Sequence, residues 1–396
     1  MKIEKVLKKK IVEGKNNMEK VYQTIIVGAG PAGLIAGRYL EDALILDKKI
    51  EIGKPVQCGE GLSRQALEIQ GIKPDPAWIS CEIHKVERIV PNGKAMGRFH
   101  KEAIGYVLDR TAFEKFLASE CKTKIQLNTK VVNLEYENSL WKIKTENEQI
   151  FKAKYLIGAD GVNSIVRRKV FPENQDKIEF IPAVEYLVEV EKEFNAEVIK
   201  IYIDNEKYDQ GYAWIFPKSK NTANIGMDGK GNLSEKFQRF LGEVVRRNYG
   251  NYRLLENKSG TIASRNREIE LFKNNLILVG DAAGLADPIF HGGLGQAMIS
   301  GEIAAQCIFK NNVDFYEEKI RLMSFVDSKS IRANRLFYSF KNKTLNELGN
   351  MFENKGFSYL KTPPGFIKIL LNLILLKNIG KLFIFFSVWQ KNKNYI

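Results

Sequence analysis

Three glycines and one aspartate carry the first chemistry that the chain offers. Residues 24–47 read TIIVGAGPAGLIAGRYLEDALILD. The apolar run Ile25, Ile26 and Val27 meets Gly28, Gly30 and Gly33, an apolar helical pattern follows, and a second strand at residues 43–46 ends on Asp47. Gly28 permits the sharp turn off the strand, Gly30 lets backbone approach a pyrophosphate, and Gly33, beside Ala32, lets the helix pack close to the strand. The pyrophosphate then meets free N–H groups at the positive end of a helix dipole. Asp47 stands where a carboxylate accepts ribose hydroxyls. The stretch predicts a dinucleotide site, and by itself it serves NAD as well as FAD.

Two later motifs have the same strand–turn–helix form. Residues 155–168, YLIGADGVNSIVRR, run an apolar strand into Asp160 and Gly161 and start a helix near Asn163 and Ser164. Residues 276–301, LILVGDAAGLADPIFHGGLGQAMISG, end a buried strand at Gly280 and Asp281. A loop with Asp287 and Pro288 follows, and Gly292, Gly293, Leu294 and Gly295 open a small-residue helix.

These pieces must be positioned by a larger frame. A chain of 396 residues is long enough for two modest domains with real cores. After Asp47 the segment PVQCGEG forms a tight loop before a helix at residues 64–70. Residues 82–108 alternate like strands, residues 111–121 are an amphipathic helix, and strands follow up to residue 159. Residues 178–230 read as a long antiparallel region, with a helix at 233–250 and strand-like segments at 260–270. The fold class is therefore α/β plus β. A Rossmann-like dinucleotide domain is assembled from residues 21–82, 103–172 and 271–312, and residues 83–102 and 173–270 form an inserted antiparallel substrate domain. Residues 313–396 form a C-terminal helical region, and residues 1–20 are a basic extension expected to be disordered.

Composition narrows the partners. The chain carries 61 basic against 47 acidic residues, a net charge of +14. Such a surface suits an anionic partner, although lysines spread over the whole chain are equally read as compositional drift. No arginine-rich block interleaved with aromatics appears, so nucleic acid is not expected. Cys58, Cys81, Cys121 and Cys307 are widely spaced without a CxxC pair, so neither a metal nor a disulfide framework is expected, and a reducing cytoplasmic compartment fits. Near the C-terminus, residues 366–376 and 382–389 are apolar runs, each about half of the roughly 20 residues that span a bilayer. They read as short helices lying on a membrane surface or closing an apolar tunnel, or else as a hairpin packed on the core.

Together GAGPAG with Asp47, GADGVNS with Arg167 and Arg168, and VGDAAGLADP followed by GGLGQAMISG resemble the FAD-dependent oxidoreductases of the para-hydroxybenzoate hydroxylase type over residues 22–310. Within them, PVQCGEGLS (residues 55–63) and GYAWIFPKSKNTANIGM (residues 211–227) resemble the geranylgeranyl reductase family, especially the archaeal enzymes that saturate isoprenoid chains of membrane lipids. Three places differ from that pattern: Asp209 replaces a proline, His291-Gly292-Gly293-Leu294-Gly295 replaces a more glycine-rich loop, and the C-terminal tail is individual. The resemblance implies FAD, with Asp160, Gly280 and Asp281 near its ribityl and pyrophosphate, and the Gly293 and Leu294 amides near the flavin pyrimidine. It also implies backbone approach by Cys58, Gly59 and Gly61, a ribityl contact from Arg110, and an adenine contact from Val132. Tyr212, Trp214 and Phe216 fall on one strand face by period two and either line a prenyl channel or belong to the β-domain core.

Alkene saturation needs hydride from reduced flavin at one carbon and a proton from a channel acid at the other. Cys58, Glu60 and His291 are the candidate donors, each with a structural alternative as loop or capping residue. The electrons come from NAD(P)H or, given the basic chain, an acidic ferredoxin. The expected setting is the cytoplasm, peripheral at the inner face of the cell membrane, with a prenylated lipid as substrate. A flavin monooxygenase and a quinone-interacting electron-transfer flavoprotein share the FAD motifs and are the rival enzymes. A non-catalytic, FAD-stabilised membrane-binding protein is the remaining alternative.

Overall fold

The structure is a computed structural model that describes residues 2–12, 20–323, 326, 328–355 and 381–382. Among these residues the strands form three sheets, of eight, seven and three strands.

The largest sheet is built on Val21–Val27, whose Ile25 and Ile26 are fully buried. It pairs in parallel with Ala43–Leu46 on one side and Ile150–Gly158 on the other. Leu276–Leu278 adds in parallel beyond Ile150–Gly158, and Lys124–Gln126 beyond Ala43–Leu46. Strands buried on both faces read as unbroken apolar runs, as the ends of these strands at residues 25–27, 43–46, 156–158 and 276–278 do. The register places Val27 opposite both Leu46 and Gly158, and Gly158 opposite Leu278. Gly28, Asp47, Ala159 and Val279 therefore leave the sheet at one edge, the crevice where such sheets hold ligands. Helix Pro31–Tyr39 packs on helix Leu294–Phe309, so closely that a Cβ on Gly301 would lie 2.2 Å from the Ala32 carbonyl oxygen. The three separated motifs thus meet around one site.

The second sheet runs in the order Tyr252–Arg265, Ile178–Val190, Thr222–Asp228, Tyr212–Pro217, Val198–Ile203, Lys85–Ile89, Ala95–Met96. Its pairs are antiparallel except that between Val198–Ile203 and Lys85–Ile89. Helix Leu233–Phe240, with residues 241–249 continuing it, covers one face, and Phe237 and Phe240 bury Ala213 and Ile215 there. The alternation of the pleat then turns Tyr212, Trp214 and Phe216 to the opposite face.

A short antiparallel sheet of Gly61–Ser63, Gly105–Leu108 and Ile79–Ile83 joins the two layers. Helix Arg110–Glu120 starts directly after it, capped by Asp109, whose carboxylate accepts from the Ala112 N–H at 2.9 Å.

One sequence expectation changes. Residues 2–10 are a helix rather than a disordered extension: Leu7 is buried, and the Val12 N–H donates to the Ile125 carbonyl at 2.9 Å. Lys5, Lys8 and Lys9 are exposed, so the basic composition masked the buried contact. In the C-terminal region, helices Ser328–Tyr338 and Asn342–Phe352 bring Phe337, Leu348 and Phe352 into one apolar cluster with Ile199, Ile201 and Phe290. Apart from Leu382, which is buried in that cluster, the two apolar runs at 366–376 and 382–389 lie outside the described residues.

Candidate active site

Two cavities open along the ligand edge of the large sheet. The smaller, of about 420 Å³, is lined by Gly28, Gly30, Asp47, Val132, Asp160 and Arg168 among others. Gly28 has φ +111°, and a Cβ there would stand 2.2 Å from the Ala159 carbonyl oxygen. A Cβ on Gly33 would stand 1.9 Å from the Gly28 carbonyl oxygen. At Gly30, by contrast, a Cβ would meet nothing within 4 Å. That open space lies at the first turn of helix Pro31–Tyr39, where a phosphate finds unbonded N–H groups. Asp47 is held across the loop, accepting from the Ala29 N–H at 2.5 Å and the Lys49 N–H at 2.7 Å.

Arg167 fastens the second motif to the third. Its buried guanidinium donates to the carbonyls of Val162 (2.7 Å), Ala282 (2.8 Å) and Asp281 (3.3 Å). Asp160 lines the small cavity, but one of its carboxylate oxygens caps helix Ile165–Val170, accepting from the Ile165 N–H at 2.6 Å and the Val166 N–H at 3.2 Å. Burial raises its pKa above the ordinary range. Ala32 and Gly280 pack beneath the site, since a Cβ on Gly280 would lie 3.2 Å from that of Ala32.

The larger cavity, of about 1050 Å³, begins at Pro31, Arg110, Asp281, Gly293 and Leu294. A site of this size exceeds the roughly 300–1,000 Å³ typical of pockets for one small ligand. Arg110 is buried, yet Glu114 at 2.5 Å, with Glu60 nearby, outweighs the burial and holds the guanidinium charged. Burial pushes the Asp281 carboxyl up, opposed by Arg110 and Arg167. Gly293 caps helix Leu294–Phe309, so the positive end of that helix faces the cavity. A carboxylate, a guanidinium and a helix terminus along one wall fit the ribityl, phosphate and pyrimidine parts of a flavin nucleotide, and the open space at Gly30 fits its pyrophosphate.

Further in, the cavity passes Cys58, Gly59 and Gly61, and then Tyr212, Trp214 and Phe216. The Phe216 ring lies against this loop: Cβ atoms on Gly59 and Gly61 would stand 3.1 and 2.9 Å from it. The three aromatics therefore line the channel while also closing the apolar cluster around Ile199 and Phe290. Beyond them the wall includes Ile83, Val86, Ile199, Ile201 and Phe290, with Arg88, Arg98 and His100 among its polar members.

The three candidate proton donors occupy different surroundings. Cys58 lines the cavity, and its sulfur accepts from the Glu60 N–H at 3.2 Å. Burial raises its pKa, as do the carboxylates of Glu185 and Glu60, while Arg110 opposes them, so the thiol form is favoured. Glu60 sits at φ +70° and gives its carboxylate to Lys218 and, at 3.1 Å, to the Asn224 amide. His291, at φ +54°, meets Asp228 through Nδ1 at 2.7 Å, and Asp228 in turn accepts from the Tyr212 N–H at 3.0 Å. The imidazole stacks on Tyr212 with ring centroids 5.8 Å apart. Burial alone lowers the His291 pKa, but Asp228 outweighs it and the net shift is upward.

Sequence reasoning did not single out Glu185 and Lys258. They stand opposite each other on paired strands, with Lys258 Nζ 3.5 Å from Glu185 Oε1 and 4.0 Å from Glu60. The Trp214 indole N–H donates to Glu185 Oε2 at 3.0 Å. Glu185 belongs to the alternating run VEYLVEVE, where Glu185, Glu189 and Glu191 share one face with Leu187 and make it read as solvated. At this end of the strand that face is roofed by the loop at residues 57–61, and Glu185 is buried. The available signal was the cross-strand pairing of one acid with one lysine.

Comparison with known proteins agrees with this geometry. Residues 25–209 match the pyridine nucleotide-disulphide oxidoreductase family, and residues 179–262 match the geranylgeranyl reductase catalytic domain. A digeranylgeranylglycerophospholipid reductase of Methanosphaerula palustris is 30% identical over 366 residues, 85% of this chain and 91% of its own length. A second such reductase, from Methanococcoides burtonii, is 32% identical over 368 residues, 86% of this chain and 90% of its own length. The crystal structure of a geranylgeranyl bacteriochlorophyll reductase-like protein from Thermoplasma acidophilum superposes with a TM-score of 0.79 at 25% identity, covering 91% of this chain and 99% of its own. The fold is shared with p-nitrophenol 4-monooxygenase of Pseudomonas putida at a TM-score of 0.67 and 16% identity, covering 91% of this chain and 98% of that one. Fold and site define a flavin-dependent oxidoreductase. The chain belongs to the digeranylgeranylglycerophospholipid reductase family.

Proposed function

We propose that the chain binds FAD and saturates C=C bonds of geranylgeranyl chains in archaeal-type membrane lipids or their prenyl precursors. The observation that carries this reading is the continuity of the larger cavity. It runs from the Arg110, Asp281 and Gly293 wall, past Cys58 and Trp214, into the apolar surface of Ile83, Val86, Ile199 and Ile201. The smaller cavity at Gly28, Gly30 and Asp47 supplies room for the adenosine half that distinguishes FAD from a mononucleotide.

When bound and reduced, the flavin supplies a hydride equivalent to one alkene carbon. The chain's own residues do the rest. The Gly293 helix terminus favours negative charge at the flavin edge. Tyr212, Trp214 and Phe216 hold an extended apolar chain against the Cys58 loop and exclude water. The net charge of +14 favours an acidic, ferredoxin-like electron carrier, with NAD(P)H as the alternative donor. Among the described residues no helix is long and apolar enough to cross a membrane. A lipid substrate then calls for a peripheral position at the inner face of the cell membrane.

The test is to identify the flavin released from the purified protein by chromatography. The chemically reduced protein is then incubated with a geranylgeranylated glycerophospholipid and the product weighed. Gain of hydrogen supports the reading. Gain of oxygen with NADPH and air, or release of FMN, overturns it.

A further inference from the structure

Alkene saturation consumes a proton at the carbon opposite the one that takes the hydride, and that proton needs a source inside a buried, mostly apolar channel. Glu60 is committed to Lys218 and Asn224, and His291 is held by Asp228 through Nδ1, its buried Nε2 having no hydrogen-bond partner among the described residues. The Cys58 thiol, buried beside two carboxylates, parts with its proton reluctantly. Glu185 places a carboxyl group in the cavity wall itself, where Glu60 is not part of the lining. Its side chain lines the cavity and is buried. Only Oε2 is hydrogen-bonded among the described residues, to the Trp214 indole, while Oε1 has no hydrogen-bond partner. A Cβ on Gly59 would stand 3.4 Å from that indole nitrogen, so Glu185 and Trp214 sit directly beside the Cys58 loop.

We propose that Glu185 is the proton donor to the alkene, aimed by Trp214 and resupplied along Lys258, a role that rests on the reductase reading above. In the step the C=C π bond breaks. One carbon forms a C–H bond with the hydride, whose two electrons come from the reduced flavin, and the other forms a C–H bond with the Glu185 proton. Glu185 is left as a carboxylate beside the Lys258 ammonium at 3.5 Å. Lys258 lies 3.6 Å from Glu256, which is about half exposed, and this trio connects the buried acid to solvent for reprotonation. The other groups that face Glu185 are Trp214, reaching across Thr222–Asp228 from the next strand but one, and, from the loop, Glu60 with its partner Lys218, and Cys58.

The electrostatics match the task. Burial pushes the Glu185 carboxyl up to about 7, the Glu60 carboxylate adding to it, while Lys258 and the Trp214 N–H pull it back. An acid poised near neutrality can both release and recover a proton at cellular pH.

The experiment uses the purified flavoprotein, its E185Q and K258M variants, and a geranylgeranylated glycerophospholipid in detergent. E185Q is isosteric, and its fold is checked by circular dichroism and flavin content. E185Q is expected to lose turnover by about 100-fold or more with KM unchanged. K258M removes the cation that pulls the Glu185 pKa down, so its pH profile is expected to be displaced upward, with the maximal rate reduced because the resupply path is cut. Infrared difference spectroscopy reads Glu185 without turnover: wild type should show a carboxylic C=O band that titrates near neutrality and is absent from E185Q. E185Q with wild-type turnover and pH profile, or no such band, overturns the role of Glu185. A wild-type protein that shows the band yet leaves prenyl chains unreduced overturns the functional reading instead.

Discussion

The guanidinium of Arg167 donates to the main-chain carbonyl of Ala282 at 2.8 Å, across 115 residues of sequence. The same side chain holds Val162 and Asp281, so one buried cation ties the GADG turn to the GDAA turn. Removing it by Arg167→Met leaves three carbonyls without this donor, in a place where water has little access. The expected loss is about 3 kcal/mol of stability, because each orphaned buried group carries a desolvation penalty. Flavin content should fall with it, since Asp281 lines the large cavity. Arg167→Lys should recover only part of the loss, because an ammonium lacks the planar fork. Urea unfolding and flavin absorbance per chain are the measurements; a wild-type midpoint in the methionine variant would refute this account.

The glycines of the first motif divide into two kinds, and the structure predicts opposite phenotypes for them. Gly28→Ala drives a Cβ into the Ala159 carbonyl at a φ of +111°, so the fold itself should suffer, by about 3 kcal/mol or more. Gly30→Ala meets nothing within 4 Å and has an ordinary φ of −86°, so folding should change by about 1 kcal/mol or less. Its methyl group instead enters the space for the pyrophosphate, and flavin affinity should drop about tenfold or more, roughly 1.4 kcal/mol. Thermal melts of the flavin-free chains beside flavin titrations separate the two. Equal melting temperatures for both variants would contradict the division.

These contrasts show what could be read from residues and what could not. The strand–glycine–helix order at residues 24–47 is local, and the placement of Gly28, Gly30 and Asp47 at one sheet edge follows from it. Tyr212, Trp214 and Phe216 were also legible, because period two assigns them a common face whatever packs there. The Glu185–Lys258 pair was not, because its burial depends on a loop more than 120 positions away roofing a face that alternation alone paints as solvated. The N-terminal helix was hidden for a related reason: a single buried Leu7 among lysines leaves little pattern, and its partner helix Arg110–Glu120 is distant in sequence.

Ile201 offers a way to test the apolar half of the channel separately from the flavin half. It lies on the strand between Tyr212–Pro217 and Lys85–Ile89, and its side chain lines the larger cavity. Ile201→Trp should narrow the channel, with overpacking of about 1–3 kcal/mol. The expected result is a KM for geranylgeranyl lipid raised about tenfold, with flavin content unchanged. Steady-state assays with shorter prenyl chains provide the control, since these need less of the channel. An identical loss for short and long chains would argue against a channel running along Ile199 and Ile201.

The His291–Asp228 pair should make stability depend on pH in a defined direction. Burial disfavours the imidazolium, but the Asp228 carboxylate at 2.7 Å outweighs it, so the folded-state pKa lies above the ordinary 6.5. The folded protein then binds the proton more tightly than the unfolded chain. The stabilisation is complete below about pH 6.5 and is lost as pH rises through the elevated folded value. Compared with His291→Gln by urea unfolding, wild type should hold its largest advantage on the acid side, and the gap should shrink toward alkaline pH. Asp228→Asn removes the carboxylate while keeping an acceptor for the Tyr212 N–H, so the histidine should titrate below its wild-type value in NMR spectra. Because His291 precedes the Gly292–Gly293 turn that opens helix Leu294–Phe309, a stability gap that widened with rising pH would mean that this turn is held without the charged pair.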